Sequence, residues 1–128
     1  MAEREMRPRI TVINDSAEFL DAAREVLAED GPYRVTTRRA DRTSAAEIRE
    51  DDASLVVIDV VADDLRAVEL ARQLLAEDPL PLLVTTPVGV ADDEIAELAT
   101  SRQVRLLPKP FNGATLSAAI ERMLRPSG

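Results

Sequence analysis

Four short stretches of this chain, Ile10 to Ile13, Leu55 to Ile58, Leu82 to Val84 and Val104 to Leu107, are apolar at nearly every position. A strand with one face in water alternates apolar and polar residues. A run without that alternation suits a strand covered on both faces, the setting of a parallel sheet between two layers of helix. A weaker, more polar candidate strand runs from Tyr33 to Thr37. The segments between these runs are amphipathic. Phe19, Leu20, Ala23, Val26 and Leu27 share one helical face, with Ser16 placed to cap its start and Gly31 to end it. Ser44 and Glu47 form a capping-box pattern before a short helix that reaches about Glu50. Leu65, Val68, Ala71, Leu74 and Leu75 make a third stripe, stopped by Pro79 and Pro81. Ile95, Leu98 and Ala99 mark a short fourth helix, and Leu116, Ala119, Ile120, Met123 and Leu124 a fifth.

Strand then helix, five times over, is the pattern of an α/β fold with a doubly wound, five-stranded parallel sheet. With 128 residues the chain has room for one core, so a single domain is expected over 1–128, its core about 8–124 between short frayed ends. Ligands of such sheets bind beyond the carboxyl ends of the strands. The residues at those ends are Asn14 and Asp15, Thr37 and Arg38, Asp59, Thr85 and Thr86, and Lys109.

Composition narrows the chemistry available there. The chain has no cysteine and no histidine, which excludes thiol nucleophiles, imidazole bases and zinc sites of the usual kind. A net charge of -8 opposes nucleic acid and anionic membranes as direct partners. MAEREMRPRI has no apolar core of a secretory leader, and no apolar run approaches the roughly 20 residues of a membrane span. A cytoplasmic location is expected. Only four glycines, none in a phosphate-cradling loop after the first strand, and an aromatic content of 2% argue against a flavin binder.

The rim residues form a coherent set. Asp15 and Asp59 stand at the ends of strands that are usual neighbours, and two close carboxylates need a cation or a proton between them. Hard oxygen ligands suit Mg²⁺. Lys109 is the single lysine beside fifteen arginines, and a compact ammonium with a hydroxyl at Thr86 suits a transferring phosphoryl group. Taken singly, Asp15 and Asp59 read as a helix-start residue and a strand-end cap, and the threonines as β-branched filler. Taken together, those readings require four coincidences at one rim.

In ITVIND, LVVIDV, LPLLVTTP and PKPF, spread in order over about Pro8 to Leu124, the chain resembles the receiver domain of response regulators in two-component signalling. The resemblance implies a flavodoxin-like (βα)5 fold with strand order 2-1-3-4-5. It implies Asp59 as phosphoacceptor, with Thr86 and Lys109 contacting the phosphoryl group. Mg²⁺ would be held by Asp15, Asp59, the backbone carbonyl of Val61 and, through water, Asn14. Lys109-Pro110 resembles the family's frequently cis peptide. The implied partners are a histidine kinase or phosphotransfer protein upstream and a downstream protein or output domain, met through the face of the fourth helix, fifth strand and fifth helix; a homodimer is a further expectation. The chain would be a signalling phosphoacceptor and not an enzyme acting on other substrates. With no output domain after the fifth helix, it is expected to be a stand-alone regulator or a piece of a longer protein.

Several positions depart from the family's pattern. Asn14 replaces an acidic residue, which lowers the expected metal affinity. Pro87 stands where a small residue usually follows the hydroxyl, and VVADDL lacks the usual proline and glycine, leaving Asp63 and Asp64 to start the third helix. Leu106 replaces the aromatic that reports phosphorylation. These departures define an alternative, a pseudo-receiver that works as a phosphorylation-independent interaction module.

Overall fold

A computed structural model describes residues 7–60, 65–76, 78–87 and 93–125. Five strands, β1 (Arg9–Ile13), β2 (Arg34–Arg38), β3 (Leu55–Asp59), β4 (Leu82–Thr86) and β5 (Val104–Pro108), form one sheet in the order β2-β1-β3-β4-β5. Every neighbouring pair is parallel. The helices are α1 (Ala17–Arg24), α2 (Ala45–Glu50), α3 (Leu65–Ala76), α4 (Asp93–Ala99) and α5 (Gly113–Leu124). The sheet order is the one expected of a flavodoxin-like receiver fold.

Alternation along the strands divides the core in two. Ile13, Val56, Ile58, Leu82, Val84 and Val104 pack under Ile48 of α2, Val68, Ala71 and Leu74 of α3, and Ile95 and Leu98 of α4. Ile10, Val12, Leu55, Val57, Leu83 and Leu107 pack under Leu20 and Ala23 of α1 and Leu116 and Ile120 of α5. Leu55 to Ile58 are all at most 1% exposed, as a strand covered on both sides requires. Burying each such aliphatic side chain contributes about 1.5–3 kcal/mol, offset by the conformational entropy of ordering the chain.

The helix signals resolve into particular contacts. Ser16 Oγ accepts the Phe19 amide, and Ser44 and Glu47 close both halves of their capping box. Helix α1 runs on into a π-helical turn, Glu25–Glu29, before Gly31. A short 3₁₀ turn, Ala40–Arg42, follows β2. Neither irregular turn has a periodic signature long enough to be read from sequence. At Gly31 the backbone lies outside the left-handed region. A Cβ there would stand 2.6 Å from the Leu27 carbonyl oxygen and 2.8 Å from that of Val26, so close approach is what requires the glycine. Among the described residues no helix is long and apolar enough to cross a membrane.

Candidate functional site

The central feature is the end of β3. Asp59, with its side chain 9% exposed, receives Lys109 Nζ at 2.5 Å on Oδ1. The same oxygen accepts the Thr85 hydroxyl at 2.6 Å. Lys109 reaches it from the segment after β5, where its amide donates to the Thr86 carbonyl at 2.8 Å and the Lys109-Pro110 peptide is cis. A cleft of about 420 Å³ opens over this pair, lined by Asn14, Ser16, Phe19, Asp59, Lys109, Pro110 and Phe111. Phe19 and Phe111 close one wall edge to face, their ring centroids 6.0 Å apart.

Thus Asn14, Asp59 and Lys109 come together at one rim. Asn14 is buried; its amide N–H donates to the Arg38 carbonyl at 3.1 Å, and its side-chain oxygen accepts the Ser16 amide at 2.8 Å. The neighbouring Asp15 carboxylate turns toward the other side of β1. It accepts the Asp41 amide at 3.3 Å and faces Arg66 at 3.7 Å, a half-exposed contact of little energetic weight. Thr86 is buried, but the hydroxyl on Asp59 is that of Thr85. Val61, Asp63 and Asp64 lie outside the described residues.

The donors suit a hard cation. Asp59 and Asn14 line the cleft with oxygen atoms, and the Asp15 carboxylate would have to turn from Asp41 and Arg66 to join them; the chain has no histidine or cysteine to offer instead. Among the described residues no three acidic groups cluster. Such oxygen donors fit Mg²⁺, which takes one or two carboxylates and keeps water in its other positions.

Behind the rim lies an ion pair that sequence reading did not find. Arg38, at the end of β2, donates Nε and Nη2 to the two oxygens of Asp51, each at 2.7 Å, and the fully buried Thr11 hydroxyl adds a bond of 3.1 Å. Hydrogen bonding from Arg38 holds the Asp51 carboxyl below its ordinary range, against the desolvation that opposes it. The guanidinium is raised in turn, first by its bond to Asp51. Burial, helped by Glu121, raises the Tyr33 phenol. The signal for Arg38 was its place at the end of β2, but its acidic partner is thirteen residues away in the turn after α2.

No family model matches the chain. Over 121 residues it is 32% identical to the response regulator MprA of Mycolicibacterium vanbaalenii, an alignment that covers 94% of this chain and 52% of that one. The chain spans about half the length of the curated relatives it matches. The structure of chemotaxis protein CheY4 of Vibrio cholerae superimposes with a TM-score of 0.74 at 19% identity, covering 91% of this chain and 98% of that one. The beryllofluoride-activated DrrB receiver domain gives 0.66 at 24% identity, covering 93% and 98%. With the same strand order, and with an acidic residue, a lysine and paired threonines at the carboxyl rim, the chain belongs to the receiver domains of response regulators.

Proposed function

We propose that the chain takes a phosphoryl group onto Asp59 from a histidine kinase or phosphotransfer protein and passes the signal to a downstream protein or output domain. The observation that carries this reading is the Lys109 ammonium at 2.5 Å from an Asp59 oxygen, at the carboxyl rim and under an open cleft. A carboxylate oxygen of Asp59 attacks phosphorus. The bond from phosphorus to the donor breaks, and its electron pair leaves with the donor. Lys109 neutralises charge on the phosphoryl oxygens, and Thr86 is the hydroxyl the family resemblance assigns to them. Asp15 and Asp59, with the Val61 carbonyl and a water on Asn14, would hold Mg²⁺, which supplies further neutralisation of the phosphoryl charge when bound. The face of α4, β5 and α5 is the readout surface in this reading. Leu106 lies on it, 41% exposed and the one exposed large hydrophobic side chain among the described residues.

The test is intact mass, or a phosphate-affinity gel, after incubation with acetyl phosphate and Mg²⁺. Wild type should gain one phosphoryl group and Asp59→Asn none. No gain in either, with amide spectra indifferent to Mg²⁺ and beryllofluoride, would replace this reading with the phosphorylation-independent interaction module that Asn14 and Leu106 favour.

A further inference from the structure

Thr85 faces Asp59 directly across the β3–β4 pair and is 1% exposed. A hydroxyl has one proton to give, and Thr85 gives it to Asp59 Oδ1 at 2.6 Å, the oxygen that Lys109 also holds. Both donors therefore meet at Oδ1, and among the described residues Oδ2 is the oxygen left with the less stabilised lone pairs. We infer that Thr85 is a positioning residue that selects Oδ2 as the attacking oxygen and shortens the lifetime of the acyl phosphate; the inference rests on the phosphoacceptor reading.

The chemistry follows the charge on Oδ1. When Oδ2 attacks acetyl phosphate, the new Oδ2–P bond forms, the bond from phosphorus to acetate breaks, and acetate leaves with the electron pair. Oδ1 is then the neutral carbonyl oxygen of the acyl phosphate. Hydrolysis reverses this change: water attacks phosphorus, the Oδ2–P bond breaks, its electron pair returns to the carboxylate, and the water's two protons leave on inorganic phosphate, one of them exchanging with solvent. A hydrogen bond to an ionised acceptor is roughly twice as strong as one to a neutral acceptor, so the Thr85 bond strengthens as the phosphoryl group departs. It therefore speeds loss of the group. Thr85→Val keeps the shape of the side chain and removes the proton.

The experiment charges the whole chain with acetyl phosphate and Mg²⁺, removes the donor, and follows decay on a phosphate-affinity gel. Thr85→Val should lengthen the half-life by about 3- to 10-fold, Thr85→Ala should do the same, and Thr85→Ser should restore the wild-type value. Independently of phosphorylation, wild type should show a protected Thr85 hydroxyl proton by NMR that shifts in Asp59→Asn. A half-life in Thr85→Val and Thr85→Ala within about twofold of wild type, or equal in all three variants, overturns the inference, as does absence of the hydroxyl resonance. If the resonance is present and responds to Asp59→Asn but wild type takes up no phosphoryl group, the acceptor reading has failed. The Thr85 contact is then only structural.

Discussion

Replacing Arg38 by methionine removes the fork that holds Asp51 and leaves that carboxylate, with its side chain 9% exposed, on the Thr11 hydroxyl alone. Two bonds of 2.7 Å to a charged group are lost, and an uncompensated charge remains in a partly desolvated place. A hydrogen bond to a charged group contributes about 1.5–3 kcal/mol, and breaking a fully buried pair costs about 3–5 kcal/mol. Arg38 is 23% exposed, which places this pair nearer the lower figures. The expected loss is about 2–3 kcal/mol at neutral pH, a drop in Tm on the order of 6–15 °C for a domain of this size. The pH dependence follows from the Asp51 carboxyl lying below its ordinary 3.8 in the folded state. The unfolded chain takes up this proton more readily than the folded one. The contribution is therefore complete well above 3.8 and lost as pH falls through the lower folded value. Arg38, held above its ordinary value first by its bond to Asp51, stays charged throughout and adds no slope in acid. Urea denaturation of wild type and Arg38→Met at pH 7 and again in acid, below the folded value of Asp51, measures both effects. A neutral-pH difference under about 0.5 kcal/mol, or a difference of full size that persists in acid, would refute the reasoning.

Lys109→Arg keeps the charge but replaces a point contact on one Asp59 oxygen with a broad planar fork, so phosphorylation by acetyl phosphate should slow by about tenfold or more; intact-mass time courses would show it. Gly31→Ala should destabilise the fold by about 1–3 kcal/mol in denaturation experiments, because its Cβ meets backbone oxygens that cannot rotate away.

What was legible in the sequence were features with a local cause. The apolar runs placed β1, β3 and β4, which are buried on both faces, and β5 as well, although Arg105 and Leu106 there are exposed; β2, half-buried throughout, was read from a weaker, more polar stretch. The Ser16 cap and the Ser44–Glu47 box sit where hydroxyl chemistry put them. The rim residues were legible because strand ends are ligand positions in any such sheet, and Asn14, Asp59 and Lys109 do share one cleft. What was not legible depends on register and on distant partners. That Asp59 stands opposite Thr85 follows from the pairing of β3 with β4, which no single strand encodes. The Arg38–Asp51–Thr11 contact joins three segments, one of them an irregular turn with Asp52 at positive φ. Arg38 read alone was one more arginine in an arginine-rich chain.

Register also explains why the two threonines of β4 are not interchangeable. Asp59 continues the parity of Leu55 and Val57, and Thr85 that of Leu83, all on the side covered by α1 and α5. Thr86 continues the parity of Leu82 and Val84, and Leu106 that of Val104, on the side covered by α2, α3 and α4. Asp59 and Thr85 therefore lie on one face of the sheet, and Thr86 and Leu106 start from the other; on the phosphoacceptor reading the Thr86 hydroxyl has to turn over the strand end to meet a phosphoryl group. A change at Asp59 that is to reach the α4 side has a covalent route through β4, from Thr85 to the next residue. The Thr86 carbonyl, bonded to the Lys109 amide, ties that step to the segment carrying the ammonium. With leucine at position 106, a signal arriving there meets a flexible aliphatic side chain in place of a ring with two preferred positions. On the phosphoacceptor reading, a switch in this chain would therefore rest on backbone movement of β4 and the Lys109 segment more than on a side-chain rotamer.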